Sequence, residues 1–119
     1  MSSDFYSIQK IKSARKEHTC ECCRTKILIG EPYENQTGVY EGRFYSQKVC
    51  PVCLKILDYL FYEKGYEELD ISQCLNEYMD DRIYKLLKEV QHPSQYVEDL
   101  IFEYEQEKLY EVMEDEVQI

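Results

Sequence analysis

The sequence predicts an α+β fold in one domain of 119 residues: a small cysteine-rich β module followed by an acidic helical hairpin. Three observations carry this. Two Cys-x-x-Cys pairs, Cys20/Cys23 and Cys50/Cys53, bracket a stretch of β texture. After Val49 the hydrophobic period changes from two to the three–four alternation of a helix. The charge also divides: residues 1 to 55 hold nine Lys or Arg against six Asp or Glu, a balance of +3, and residues 56 to 119 hold five against eighteen, a balance of −13. The chain therefore reads as a basic lead-in (1–17), a cysteine module (18–64) and an acidic helical region (65–119), with a length suited to one modest core.

In the lead-in, Phe5, Ile8 and Ile11 recur at a spacing of three among Lys10, Lys12, Arg15 and Lys16, which allows a short helix. From Lys26 to Val49 the texture is β. "KILI" comes first, then "YENQTGVY" and "RFYSQKV" flank Glu41-Gly42, a two-residue turn of the kind that closes hairpins. The hairpin spans about 33 to 49. Pro51 suits a first helical turn, Cys53, Leu57, Leu60 and Phe61 fall on one face, and Gly65 is a stop. A second helix is expected from about Ser72 to Gln91, with Leu75, Tyr78, Met79, Ile83, Leu86, Leu87 and Val90 as its apolar positions. His92-Pro93 ends it. Ser94 then caps a third helix whose stripe is Val97, Leu100, Ile101, Tyr104, Val112 and Met113. Its outer face is acidic, and the end "EVMEDEV" is expected to fray.

The N-terminus "MSSDFYSIQK" has no apolar run, and nowhere do 18 or so uncharged apolar residues follow one another. A soluble, cytoplasmic protein that does not enter membranes is expected. In a reducing compartment, six cysteines point to metal binding rather than to disulfides.

A structural zinc wants four ligands at tetrahedral corners, and a C-x-x-C turn supplies two of them. Cys20 and Cys23 have that spacing, whereas Cys20 and Cys22 do not. Cys22 and Cys74 are therefore read as bystanders. His18 is superfluous once four cysteines fill the shell. One structural Zn2+ on Cys20, Cys23, Cys50 and Cys53 is the reading, its thiolate charge offset by a helix N-terminus and by Arg24, Lys26 and Lys48.

Ile27, Gly30, Glu31 and Tyr33 complete the pattern "C-x-x-C-x-x-x-I-x-x-G-E-x-Y", and here the chain resembles treble-clef zinc proteins. That resemblance implies a knuckle, a β-hairpin, and a second ligand pair in the first turn of a helix, matched by "CPVCLKILDYLFYEK". A zinc ribbon would place the second pair in another β-turn. The lead-in "SARKEHTCECC" with "GVYEGRFYSQKVC" further resembles small zinc proteins of unassigned function from bacteriophages and prophages, over about residues 10 to 57. Cys50 stands where a His often opens the second pair in those proteins, and the acidic half has no counterpart in them. A phage-encoded chain would work in the cytoplasm of its bacterial host.

Three function classes follow. HNH nucleases use a treble-clef frame, but they need a hairpin histidine and further ligands for a catalytic cation. No histidine lies between Ile27 and Gln91, and a four-thiolate shell leaves no open position. The chain is therefore read as no enzyme. A nucleic-acid-binding finger would use Lys10, Lys12, Arg15, Lys16, Arg24 and Arg43, with Tyr40, Phe44 and Tyr45 to stack on bases. An excess of three charges is small for that task, and the acidic half repels phosphate. Protein binding accounts for more of the chain. The carboxylates Glu67, Glu68, Asp70, Asp80, Asp81, Glu103, Glu105 and Glu107 would dock on a host protein with a basic groove, such as a defence nuclease or a transcription component. A homodimer is also compatible with the sequence.

Overall fold

The computed structural model describes residues 5–67 and 69–117, the side chains of 5, 6, 40 and 111–117 apart. Its main sheet has the order β1-β4-β5, all antiparallel, built from β1 (Phe5–Ile11), β4 (Tyr33–Tyr40) and β5 (Arg43–Val49). Two short strands, β2 (His18–Thr19) and β3 (Lys26–Ile27), pair with each other around the first cysteine knuckle. The hairpin closes where expected. Glu41 and Gly42 both have positive φ, 51° and 77°, the backbone that lets a two-residue turn follow the twist of its strands.

The lead-in is a strand and not the short helix that its spacing allows. Ile11 pairs with Tyr33 and Phe5 with Val39. Seven residues are too few for a helix to stand alone, whereas pairing along the open edge of β4 gives the same backbone a ladder of partners. As the central strand, β4 buries Glu34 and Gln36, whose amide Nε2 donates to Glu34 Oε1 at 3.0 Å.

Helix α1 (Pro51–Asp58) continues as a π-helical turn, Tyr59–Glu63, and stops at Gly65, with φ 75°. Cys53, Ile56 and Leu60 are its buried positions, while Phe61, expected on that face, is exposed. At about 100° per residue Phe61 lies about 80° around the helix from Cys53, on the side away from Ile56 and Leu60, and so falls past the edge of the buried stripe.

The single helix expected over Ser72–Gln91 is two: α2 (Cys74–Tyr78) and α3 (Asp81–Leu87). The break is at Met79-Asp80, where Asp80 is extended (φ −148°, ψ −176°) and its carboxylate accepts from the Ile83 N–H at 2.9 Å. Its second oxygen accepts the Tyr59 hydroxyl at 2.6 Å. The side chain thus supplies a cap that the backbone would otherwise forgo by staying helical. The buried residues Leu75, Ile83, Leu86 and Leu87 nevertheless follow the expected stripe.

After His92 (φ 55°) and Pro93, Ser94 caps α4 (Gln95–Val117), its Oγ accepting from the Val97 N–H at 3.2 Å. Val97 and Leu100 are buried. Farther along, Tyr104 packs on Tyr84 of α3, with ring centroids 4.8 Å apart, and Lys108 lies 3.9 Å from Asp81. The side chains of Val112 and Met113, and the end "EVMEDEV", fall outside the described side chains. With extents of 63 × 36 × 20 Å and a radius of gyration of 17.0 Å, the chain is longer than the roughly 13–14 Å expected of a compact domain this size. No described helix is long and apolar enough to cross a membrane.

One core runs through the whole assembly. Ala14, the buried cysteines, Val49, Ile56 and Leu60 share a cluster with Leu75, Ile83, Leu87, Val97 and Leu100. The cysteine module and the acidic helices therefore stabilise each other by burying a common apolar surface.

Candidate metal centre

The first pair of cysteines sits on a tight knuckle. The Cys20 N–H donates to Thr25 O and the Arg24 N–H to Cys20 O, both at 2.9 Å, and Arg24 takes the left-handed conformation (φ 62°) that reverses the chain. The second pair opens α1, with Cys50 in the N-cap position and Pro51 next, as the spacing predicts. A hydrogen bond from the Cys50 N–H to Cys20 Sγ, 3.4 Å, crosses between the pairs.

The sulfurs of Cys20, Cys23, Cys50 and Cys53 all lie within 4.8 Å of one another. Cys23 and Cys50 are 3.7 Å apart. A tetrahedron with metal–sulfur bonds of about 2.3 Å has an edge of about 3.8 Å, so this separation already fits a shared ion. Cys20, Cys23 and Cys53 are fully buried and Cys50 is half-buried. Among the described residues no other His, Cys, Asp or Glu joins the group.

The protons of the cluster are unevenly placed. Hydrogen bonds received from Cys23, Cys50 and Cys53 hold the Cys20 thiol far below its usual range. Cys53 is pushed up, first by its hydrogen bonds to Cys20, Cys22 and Cys23 and then by burial. Four thiolates in so small a volume repel one another, and a dication is the group that would hold all four deprotonated at once. The donor set and its spacing fit that ion.

The offsetting charge arrives differently from the expectation. Lys26 pairs with Glu17 at 3.2 Å, Lys48 Nζ donates to Asn35 Oδ1 and Ser46 Oγ, and the Arg24 guanidinium lies 4.0 Å from the Tyr96 ring centroid. The hydrogen bond from the Cys50 N–H and the start of α1 are what face the sulfurs. His18 stands apart, with Nε2 3.3 Å from the Tyr33 hydroxyl. Its pKa is lowered by burial and then by Lys48 and Lys16.

Two features are not readable from the sequence. Cys22 and Cys74, both fully buried, place their sulfurs 3.7 Å apart and so join the knuckle to α2. Hydrogen bonds from Cys53 and Cys74 lower the Cys22 thiol to about 5. Ser94, besides capping α4, donates its hydroxyl to Cys23 O at 2.6 Å, and its N–H donates to Thr25 Oγ1 at 3.2 Å. The start of α4 is thus fastened to the knuckle.

The two candidate interaction sets fare unequally. Glu67, Asp81, Glu103, Glu105 and Glu107 are exposed, and Glu105 Oε1 accepts the Tyr84 hydroxyl at 3.0 Å. Asp70 Oδ1 accepts from the N–H and hydroxyl of Ser72, and Asp80 is taken by its cap and by Tyr59, so these two carboxylates do local structural work. Glu68 lies outside the described residues. Of the basic set, Lys10, Lys12, Arg15 and Lys16 line one concavity. Arg24 stacks on Tyr96, and Arg43 sits at the far end of the sheet, seven positions along the ladder from Tyr33. Phe44 is exposed and Tyr45 half-buried beside Arg43. The side chain of Tyr40 is outside the description.

In comparisons with known proteins, no family model, no curated protein and no solved structure matches this chain.

Proposed function

We propose that the chain is a non-enzymatic protein-interaction module, stabilised by one zinc ion in a treble-clef arrangement, that docks on a basic protein surface through its acidic helices. Zinc is the metal this reading assigns to the four thiolates, because a closed four-cysteine shell suits a d10 ion held for structure. The order of knuckle, hairpin and helix-opening ligand pair supports the treble clef.

The observation that carries the docking role is the exposed side of α4. At about 100° per residue, Phe102, Gln106, Leu109 and Tyr110 fall on one side of the helix, with Glu103 and Glu107 along one flank and Glu105 along the other. Phe102, Leu109 and Tyr110 are 64 %, 55 % and 65 % exposed. A stripe of large apolar groups edged by carboxylates matches helix-in-groove recognition, in which the apolar side chains anchor and the charges select a basic rim. A phage-type inhibitor or modulator of a host nucleic-acid-handling protein in the bacterial cytoplasm is the setting that fits such a face.

The test compares wild type, a Glu103→Lys/Glu105→Lys/Glu107→Lys variant and a Phe102→Ser/Leu109→Ser variant in capture of host proteins, with metal content measured on each. A partner held by wild type, released steeply by salt and lost from both variants supports the reading. A partner held equally by all three proteins refutes it.

A further inference from the structure

Apart from the metal centre and α4, Lys10, Lys12, Arg15 and Lys16 share a concavity of about 750 Å³ with His18 and Tyr33. Its remaining lining residues are Ile11 and Ser13, so no carboxylate borders it. Among the described residues none of the four cations takes part in an ion pair. In a chain of net charge −10, cations gathered around a concavity that no carboxylate lines are the anomaly that calls for a ligand.

The nearby carboxylates are engaged elsewhere. Glu17 pairs with Lys26 at 3.2 Å, and Glu31 Oε1 accepts from the Leu28 N–H at 2.7 Å. Glu34, directly across from Lys10 in the strand register, accepts from Gln36 and belongs to a separate concavity that Lys10 also borders. Lys12, Arg15 and Lys16 are consequently the centre of the charge, with Lys10 at its edge.

The loop that carries them is held in place. Ala14, 2 % exposed, donates its N–H to Glu31 O at 2.9 Å and accepts from the Gly30 N–H at 2.8 Å. Its neighbours Lys12, Arg15 and Lys16 are all exposed, so a buried anchor presents three cations on a fixed backbone. The ligand then need not supply the ordering of this segment. The tilted pair of His18 and Tyr33, with centroids 5.0 Å apart, adds an aromatic wall.

We propose that this concavity binds a polyphosphate group, as carried by a nucleoside triphosphate or by inorganic triphosphate. A single carboxylate would neutralise one of the cations, whereas a terminal phosphate alone brings about −1.5 to −2 at pH 7 and several acceptor oxygens. Arg15 supplies planar paired donors and the lysines supply point charges, the usual division of labour around phosphates. A volume of this size suits a small ligand. A long nucleic-acid track is disfavoured, because Arg24 is stacked on Tyr96 and Arg43 lies at the opposite end of the sheet. The site is independent of the docking role assigned to α4.

The experiment titrates intact zinc-loaded protein with inorganic triphosphate, with ATP and with a short oligothymidylate at about 0.1 M salt, following amide shifts by NMR. Triphosphate and ATP should bind, with shifts confined to 10–18 and the neighbourhood of Tyr33. A Lys12→Glu/Arg15→Glu variant should weaken both by at least about tenfold, since each charge-assisted contact is worth about that factor. Arg43→Glu should change binding less than about twofold, because Arg43 lies seven positions along the ladder from Tyr33, roughly 23 Å at about 3.3 Å per residue, beyond the screening length of about 10 Å. ATP binding about tenfold tighter than triphosphate identifies a nucleotide as the source, and equal binding identifies the polyphosphate alone. Absence of any binding by wild type overturns the proposal. So does equal weakening by Arg43→Glu, or an oligothymidylate that binds more tightly than triphosphate with shifts extending to the hairpin turn.

Discussion

Replacing Ser94 by Ala tests how the two halves of the chain are joined. The hydroxyl makes two bonds: it accepts from the Val97 N–H at 3.2 Å and donates to Cys23 O at 2.6 Å. Loss of an N-cap costs about 1 kcal/mol, and loss of the second bond removes about another 1 kcal/mol. The Ser94 N–H keeps its bond to Thr25 Oγ1, so the backbone is still anchored. At an unfolding entropy of about 2.1 cal/mol/K per residue, a loss of about 2 kcal/mol from 119 residues lowers Tm by about 8 °C. Thermal unfolding followed by circular dichroism at a fixed excess of zinc is the assay, since free metal itself shifts Tm. The metal stoichiometry should not change, because no sulfur loses a partner. A drop in Tm below about 2 °C, or loss of zinc at ambient temperature, would refute the reasoning that Ser94 fastens α4 to a knuckle formed independently of it.

Cys22→Ser and Cys74→Ser should each keep the full metal content while losing about 1–3 kcal/mol, because a hydroxyl replaces a thiol in a fully buried contact; metal analysis and urea unfolding check both. Asp80→Ala removes the cap that starts α3 and should cost about 1 kcal/mol in the same unfolding assay. The Tyr59 hydroxyl donates to the Asp80 carboxylate, and this raises its pKa above the ordinary 10.0. A raised folded-state pKa means that the stabilisation is complete below pH 10 and is lost as pH climbs through the folded value. The stability gap between wild type and Tyr59→Phe should therefore be flat through neutral pH and close in strong alkali.

What the sequence disclosed follows from how local each signal is. The Cys-x-x-Cys pairs, the Glu41-Gly42 turn and the Ser94 cap are set by residues a few positions apart, and all three stand in the structure as read. The lead-in differs because its conformation is decided by β4, more than twenty residues away, whose open edge no local pattern records. The continuous second helix fails for a subtler reason. Its apolar stripe survives across the break, since Leu75, Ile83 and Leu87 still meet one core, and periodicity alone does not register an extended Asp80. The Asp80-Asp81 pair ahead of Ile83 is the available signal, because an Asp three residues before a buried position is a helix start as readily as a polar interior residue. The Cys22–Cys74 contact joins residues 52 positions apart, and no spacing rule reaches that far. The compact grouping of Lys12, Arg15 and Lys16 likewise depends on the anchoring of Ala14 beneath Gly30 and Glu31.

Metal content per folded chain measures the four-cysteine centre most directly. Inductively coupled plasma mass spectrometry, with native mass spectrometry to count ions per molecule, should find one zinc on wild type, on Cys22→Ser and on Cys74→Ser. A Cys20→Ser/Cys50→Ser variant should hold almost none and should lose its cooperative unfolding transition, because the metal's binding energy is part of the folding energy. A wild-type chain purified with no stoichiometric metal, or the double variant folding as well as wild type, would contradict a structural metal on these four cysteines.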